Sequence, residues 1–138
     1  MTRFFSVPGQ PVGKARPKYT RMGRVYTPKK TKDYEKLVKA CYLEQCGAEP
    51  IPEGVPVAMA ITAYFGIPKS DSKKKRTMKE HGLLYPTIKA DADNLAKIIM
   101  DGCNGLAYAD DRQITDLNVK KRYSPYARVT VEISEIAL

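Results

Sequence analysis

The stretch VPVAMAITAYF, residues 55–65, predicts a β-strand that is covered on one face. Its larger apolar side chains fall on alternate positions, which places them on the same side of a pleated strand. Pro56 lacks the N–H that a neighbouring strand would need, so the strand is predicted to begin at the edge of its sheet. A strand covered on one face needs other elements to cover it.

Two amphipathic helices flank this strand in the sequence. The first is predicted to begin with Thr27 as N-cap and Pro28 in the first helical position, and to end at Gly47. The second is predicted over residues 93–103. In both, apolar residues recur three and four positions apart, which presents one face of each helix to a core. These residues are Tyr34, Leu37, Val38, Cys41 and Tyr42 in the first helix and Leu95, Ile98, Ile99 and Cys103 in the second.

The remaining elements complete an α+β fold. Shorter strands are predicted at 4–7, 113–121 and 127–136, and a short basic helix at 70–80. Because Ser124-Pro125 indicates a turn, the last two strands are predicted to form an antiparallel C-terminal β-hairpin. The order β-α-β-(α)-α-β-β predicts a single small domain over residues 1–138, a mixed β-sheet with helices packed on one face. Residues 8–30 are predicted to form a loop that is long for so small a domain.

The net charge of +9 is concentrated in two segments. Residues 1–32 contain nine Lys or Arg and no Asp or Glu, and residues 69–79 contain six Lys or Arg and one Asp. Such segments attract polyanions, of which nucleic acids are the commonest in cells. Tyr19 and Tyr26 lie among the basic residues of the first segment, a mixture suited to phosphates and sugars. The alternatives are solvated surfaces and a mobile arm without a ligand.

Several classes of function lack the residues that they need. Cys41, Cys46, Cys103 and His81 have no zinc or disulfide spacing, so we interpret the cysteines as reduced thiols. The single histidine, His81, argues against a His-centred catalytic triad and against a His-rich metal site. No glycine-rich phosphate loop supports a nucleotide cofactor. With no apolar run of membrane length and no signal peptide, we expect a soluble intracellular protein without a membrane partner.

Residues 91–116 form an acidic cluster inside this basic chain. The cluster holds six aspartates, Asp91, Asp93, Asp101, Asp110, Asp111 and Asp116, against Lys97 and Arg112. Aspartates completed by water suit Mg²⁺ or Mn²⁺, which can polarise a phosphate and generate hydroxide from water. Lys97 lies one helical turn after Asp93, where it can neutralise charge that develops on a phosphate. The structural alternative makes Asp93 an N-cap paired with Lys97, and makes Asp110-Asp111 ordinary turn residues.

The same residues carry a resemblance to a known family. KADADNLAK (89–97), followed by MDG (100–102) and LAYADDRQI (106–114), resembles the RusA family of Holliday junction resolvases. The family pattern is a basic residue before D-x-D-N-L-x-K, then a helix that ends in an Asp-containing turn, then D-D-x-Q-[IV]. Looser similarity extends over the basic segment 7–17, the first helix and the last two strands. Ala90 departs from the pattern, because relatives often carry Pro or Arg there.

The resemblance implies a crossover junction endodeoxyribonuclease of DNA recombination and repair. Such an enzyme binds four-way junctions as a homodimer and resolves them by paired, symmetric, Mg²⁺-dependent nicks, with Mn²⁺ as the candidate substitute. The resemblance places the catalytic residues at Asp91, Asp93, Lys97 and Asp111, with the three aspartates as metal ligands and Asp110 as a further candidate ligand. It also implies a cytoplasmic protein encoded by a bacterium or a prophage.

The basic residues are expected to hold the DNA through its phosphates. Those predicted to do so are Lys14, Arg16, Lys18, Arg21, Arg24, Lys73, Lys74, Lys75, Arg76 and Lys89. Two other functions remain open at this point. One is a non-catalytic DNA-binding or architectural protein, and the other is a metal-dependent nuclease for other branched DNA or for RNA.

Overall fold

The computed structural model describes residues 2–47 and 49–137, and Met1, Ala48 and Leu138 lie outside this description. The described residues form a four-stranded mixed sheet, a two-stranded sheet and three α-helices. The strands are β1 (Thr2–Pro8), β2 (Lys18–Tyr19), β3 (Val25–Tyr26), β4 (Val57–Gly66), β5 (Ile114–Ser124) and β6 (Arg128–Glu135). The helices are α1 (Lys29–Gln45), α2 (Lys73–Glu80) and α3 (Ala92–Cys103), with a 3₁₀ turn at Asp111–Gln113. The predicted α+β class is confirmed.

β4 is the centre of the four-stranded sheet, whose order is β1-β6-β4-β5. Its alternation places five side chains in the core and leaves the side chains between them half-buried on the opposite face. The five core residues are Val57, Met59, Ile61, Ala63 and Phe65. The prediction that β4 begins at a sheet edge is wrong, because Pro56 precedes the first residue of the strand and therefore interrupts no ladder.

The predicted C-terminal β-hairpin is also wrong. β5 pairs with β4 in parallel and β6 pairs with β4 in antiparallel, so β4 lies between the last two strands. β5 follows β4 through a long crossover that contains α2 and α3, the kind of connection that returns a strand parallel to its predecessor. Residues 125–127 then run past the carboxyl end of β4 to start β6 on its other edge. Their adjacency in the sequence suggested that β5 and β6 pair with each other. Each of them pairs instead with one edge of β4.

The first basic segment contains more structure than the predicted loop. Within residues 8–30, β2 and β3 pair as a short antiparallel ribbon. α1 begins one residue later than predicted, because Pro28 and not Thr27 occupies the N-cap position. Thr31, in the first turn of α1, is buried, and its hydroxyl accepts a hydrogen bond from the Ala15 N–H. The start of α1 therefore holds the base of the ribbon in place.

α1 and α3 pack closely on the same side of the sheet. Their apolar faces join the buried face of the sheet in one continuous core cluster. Gly102 lies at the contact, where a Cβ atom would come within 2.7 Å of the Val38 Cγ1. This close approach brings the neighbouring Asp101 beside Glu35 of α1. Among the described residues, no helix is both long enough and apolar enough to cross a membrane.

Candidate active site

The first turn of α3 presents two carboxylates to solvent. Asp91 occupies the N-cap position, but its side chain makes no capping hydrogen bond, and Asp93 lies in the first turn. Both residues are exposed. Within residues 2–47 and 49–137, neither carboxylate forms a hydrogen bond or an ion pair. The structural alternative for Asp93 is therefore wrong, because Asp91 holds the capping position and Lys97 pairs elsewhere.

Lys97 pairs with Asp101, one turn further along α3. The distance between Lys97 Nζ and Asp101 Oδ1 is 3.4 Å, and the Lys97 side chain remains 56% exposed. Asp111, at the start of the 3₁₀ turn, lies close enough to both residues for their charges to affect its pKa. Burial, with the neighbouring Asp110 carboxylate, raises the pKa of Asp111, while the Lys97 ammonium opposes that rise. The turn before β5 therefore lies near the part of α3 that carries Lys97 and Asp101.

The two members of the Asp110-Asp111 pair have different environments. Asp110 caps the 3₁₀ turn, since its Oδ1 accepts a hydrogen bond from the Arg112 N–H (2.9 Å). The buried Gln113 returns the contact by accepting from the Asp110 N–H (2.9 Å). This backbone N–H holds the pKa of Asp110 below its ordinary value. The carboxylate of Asp111 takes no part in this cap.

The structure does not bring all the predicted metal ligands into one group. Within the described part of the chain, no three Asp, Glu, His or Cys side chains are close enough to hold one metal ion. Asp111 lies near Lys97 and Asp101, and Asp91 and Asp93 stand at the other end of the same helix face. The chemistry of the donors fits Mg²⁺ all the same, because all are carboxylate oxygens and those of Asp91 and Asp93 are free.

Lys14 is placed differently from the other basic residues predicted to contact DNA. Its ammonium forms ion pairs with Glu35 and with Asp101, the second at 3.1 Å. Burial alone would lower the pKa of Lys14, but these two carboxylates outweigh burial and raise it, so the ammonium stays charged. Three-quarters or more of each of the three side chains is covered. Lys14 is therefore half-buried and already paired with two carboxylates.

A groove next to Asp91 contains another predicted DNA contact. It has a volume of about 260 Å³ and is lined by Gly13, Lys14, Lys89, Ala90, Asp91 and Asn94. A second hollow of about 470 Å³ shares Gly13, Lys89 and Ala90 with it and continues to Lys18 and Lys30. Lys89 is exposed, so its ammonium can meet a phosphate that approaches Asp91.

The other predicted DNA contacts are exposed and lie on two elements. Arg16, Lys18, Arg21 and Arg24 belong to the segment that carries the β2–β3 ribbon, together with the exposed Tyr19 and Tyr26. Lys73, Lys74, Lys75 and Arg76 occupy α2, which has no buried residue. Lys79 differs from these four, because it pairs with Asp71 and lies 4.4 Å from the centre of the Tyr123 ring. Lys79 thus holds α2 against β5. The other four cations of α2 form no ion pair with any described residue.

Two residues of this region were missed by reasoning from the sequence. Asp101 was part of the acidic cluster without a role, although its position four residues after Lys97 is the spacing of a helical ion pair. Glu35 has no such signal, because only the packing of α1 on α3 brings it to Lys14. Long-range ion pairs of this kind leave no mark in sequence spacing.

The comparisons with known proteins agree with the motifs. Residues 8–134 match the family model described as Endodeoxyribonuclease RusA. The chain is 43% identical over 138 residues to the uncharacterized protein YqaN of Bacillus subtilis (strain 168), which covers 96% of both chains. It is 30% identical over 100 residues to crossover junction endodeoxyribonuclease rusA of Lactococcus phage r1t, which covers 72% of this chain and 70% of the phage protein.

Proposed function

This chain belongs to the RusA family of endodeoxyribonucleases, and from that premise we propose that it resolves four-way DNA junctions by paired, Mg²⁺-dependent nicks. The resemblance inferred from residues 89–114 is thereby confirmed at the level of the family. The phage relative is named for crossover junctions, which supports the same class of substrate here. The observation that carries the proposal is the pair of free carboxylates, Asp91 and Asp93, at the start of the helix that also carries Lys97, in a protein with two strongly basic segments.

We propose Asp91, Asp93 and Asp111 as the residues that would hold the metal ion, which requires Asp111 to move toward the Asp91 and Asp93 carboxylates from its position in this structure. Asp91 and Asp93 offer uncommitted oxygens, and Asp111 adds a partly buried carboxylate whose negative charge is disfavoured by its surroundings. A bound divalent cation supplies Lewis acidity toward a phosphate and lowers the pKa of water. Mg²⁺ is the preferred ion for an all-oxygen set, with Mn²⁺ as its substitute. Asp110 serves the fold in this scheme, because its carboxylate already caps the turn before β5.

The proposed role of Lys97 is to stabilise the reacting phosphate through its positive charge. The Lys97 side chain is more than half exposed and lies on the helix face that begins with Asp93. Its ammonium can therefore reach the oxygen of a phosphate that approaches from solvent. Cleavage of a phosphodiester adds negative charge to the non-bridging oxygens, and a fixed cation stabilises that charge most where water is scarce. In this role Lys97 is a catalytic residue, and Lys97→Met is expected to slow cutting while leaving junction binding intact.

The exposed cations would hold the arms of the junction. The ribbon segment (residues 16–26) and α2 each present four cations to solvent, and Lys89 lies in the groove beside Asp91. Contacts of this kind act on phosphates without regard to base sequence and weaken steeply as salt rises. The groove from Asp91 past Lys89 toward Lys18 and Lys30 gives one strand a continuous basic path away from the proposed site of cutting.

Two opposed nicks in one junction require two sites. A homodimer with twofold symmetry supplies them at matched positions, since each protomer carries one set of the proposed catalytic residues. We propose this assembly together with a cytoplasmic location in a bacterium, where the DNA substrate is found. The phage relative supports an origin in a prophage.

The decisive test compares substrates side by side. Synthetic four-way junction, linear duplex, flap and RNA are incubated with the protein in Mg²⁺, in Mn²⁺ and in EDTA. The junction alone should be cut efficiently, with either cation and not in EDTA, and ligase should reseal the product because the cut leaves a 5′-phosphate and a 3′-hydroxyl. Retention of the junction without nicking would identify a non-catalytic binding protein. Equal cutting of flap or RNA would identify a different nuclease.

A plasmid that extrudes a cruciform tests the pairing of the nicks. Coordinated cutting at two sites converts the plasmid directly to linear DNA, whereas independent cutting accumulates the nicked circle first. Light scattering should give twice the mass of one chain for the free protein, and the mass of two chains plus that of the junction for its complex. Accumulation of nicked circles by a monomer would contradict the dimer proposal and leave the endonuclease assignment in place.

A further inference from the structure

Lys14 is the one cation of the predicted DNA-contacting set that is enclosed by two carboxylates of the described residues. Its ammonium lies between Glu35 of α1 and Asp101 of α3, and only 23% of the Lys14 side chain is exposed. To reach a phosphate it would have to leave both partners, and Glu35 would then lie close to Asp101 with no ion-pair partner of its own among the described residues. Arg16 and Lys18, two and four residues later in the same segment, are exposed and face no such loss.

The backbone at Lys14 is held as firmly as its side chain. The Lys14 N–H donates a hydrogen bond to the Asn94 carbonyl oxygen of α3, with 2.8 Å between N and O. At the preceding residue, a Cβ atom on Gly13 would come within 2.5 Å of the Ala90 Cβ and 3.2 Å of the Asn94 Cβ. The segment that carries Lys14 therefore lies directly against the residues that precede and begin α3. Its position is coupled to the helix that carries Asp91, Asp93 and Lys97.

Asp101 connects Lys14 to Lys97. One oxygen, Oδ2, is 3.1 Å from the Lys14 ammonium, and the other, Oδ1, is 3.4 Å from the Lys97 ammonium. Lys14 thus fixes the orientation of the Asp101 carboxylate, and that carboxylate presents its second oxygen to Lys97. Lys97 has a long side chain that is 56% exposed and has no other ion-pair partner among residues 2–47 and 49–137. Its average position consequently depends on Asp101.

We infer that Lys14 and Asp101 are positioning residues that hold the Lys97 ammonium beside the reacting phosphate, and that Lys14 does not bind DNA. The inference rests on the catalytic role proposed for Lys97. It replaces the sequence-based expectation that Lys14 contacts DNA, because two carboxylates pair with its ammonium and most of its side chain is covered. The basic segment then has two parts: its base organises the active site, and the exposed ribbon beyond it meets the DNA.

The test measures junction binding and cutting separately, with Lys14→Gln compared against Lys18→Gln. Binding is measured in EDTA over a range of salt concentrations, and cutting as the single-turnover rate at saturating junction in Mg²⁺. Lys14→Gln should lower the saturated rate by roughly 10- to 100-fold, the range typical of residues that orient a catalytic group, and should leave the slope of log Kd against log salt unchanged. Lys18→Gln, which removes a phosphate contact from the same segment, should lower that slope by about 0.9 per protomer and therefore by about 1.8 for the proposed dimer.

Two further variants keep the inference falsifiable if Lys14→Gln disturbs folding. Lys14→Arg retains the charge and should recover most of the rate, and Asp101→Asn should reproduce the loss seen with Lys14→Gln. The double variant Lys14→Gln/Asp101→Asn should cut no more slowly than the slower single variant, since the two residues act as one unit. Thermal unfolding and circular dichroism report whether each variant is folded.

The inference is overturned if Lys14→Gln lowers the salt slope as much as Lys18→Gln does while the saturated rate is unchanged. A wild-type rate for Asp101→Asn would overturn it independently. Failure of the catalytic role of Lys97 is a separate outcome, because Lys97→Met would then cut at the wild-type rate whatever the Lys14 variants do. The binding measurements in EDTA would still decide whether Lys14 touches DNA.

Discussion

The two acidic turns of the molecule, residues 91–93 and 110–111, look alike in sequence and are used differently. Each contains an aspartate at the first position of a helical turn. Asp110 uses its carboxylate to cap, with Gln113 returning the hydrogen bond. Asp91 occupies the same kind of position on α3 and leaves its carboxylate free.

The difference separates carboxylates that serve the fold from carboxylates available for chemistry. A capping aspartate contributes about 1 kcal/mol to stability. Asp91 does not make this contribution, because its side chain forms no capping hydrogen bond at the start of α3, where Asp93 also lies. At Asp110 it is made, and the adjacent Asp111 carries the unsatisfied charge of the pair. A pair of neighbouring aspartates can therefore divide into one structural and one functional residue.

The largest expected effect is on the rate at which variants of Asp110 and Asp111 cut a four-way junction. Asp111→Asn should lower the rate on a four-way junction by at least roughly a hundredfold, because it removes a proposed metal ligand and not merely a residue that supports one. Asp110→Asn keeps a side-chain oxygen that can accept from the Arg112 N–H, so it should cut within a few-fold of the wild type. Single-turnover assays in Mg²⁺ measure both rates. A comparable loss of rate in Asp110→Asn would indicate that Asp110 is also a metal ligand, and the two aspartates would then not differ in role.

The next effect concerns the stability of the two capping positions. Asp110→Ala removes the acceptor of the Arg112 N–H and should lower the free energy of unfolding more than Asp91→Ala does. Asp91→Ala should lower it by about 0.5 kcal/mol or less, because only the attraction between its charge and the α3 dipole is lost. Urea unfolding at low salt compares the two variants. Equal losses would mean that Asp91 caps α3 in solution after all.

The smallest expected effect is a gain in stability for Asp111→Asn in the absence of divalent cations. Burial and nearby carboxylates raise the pKa of Asp111, so the folded protein holds this proton more tightly than the unfolded chain does. Wild-type stability from this group is present below the ordinary pKa of an aspartate and is lost as pH rises through the raised value. Asp111→Asn should therefore melt at a higher temperature than the wild type at pH 7, with no difference near pH 3.

Thermal melts with and without Mg²⁺ complete this comparison. Mg²⁺ should raise the melting temperature of the wild type, because binding to the folded state neutralises the charge of Asp111. The same concentration should raise that of Asp111→Asn much less. A melting temperature of Asp111→Asn below the wild type in EDTA would mean that the Asp111 charge is stabilising as it stands.

Much of the fold could be predicted because its signals are local. The alternation in residues 55–65 and the helical spacing in 93–103 correctly predicted β4 and α3, with boundaries that differ by one or two residues. The pairing of β5 and β6 could not be predicted in the same way. Whether two strands pair depends on which sheet edges are free, and β4 takes a partner on both edges.

The site shows the same division. The spacing of Asp91, Asp93 and Lys97 is local, and it indicated both the helix end and the family. The environment of each charge is not local, since it depends on which elements fold over it. Lys14 and Lys18 look equivalent in a basic segment, yet packing of α1 on α3 encloses the first between two acids and leaves the second in solvent.

By itself, the sequence determined the longer helices and strands, the concentration of positive charge and the order of the acidic motif, because these depend on residues a few positions apart. Only the tertiary structure decided which strands are neighbours, which aspartate caps a turn and which lysine is neutralised. Those outcomes depend on contacts between residues far apart in the chain, such as Lys14 with Asp101. They arise only when burial of the shared apolar core brings those distant segments together.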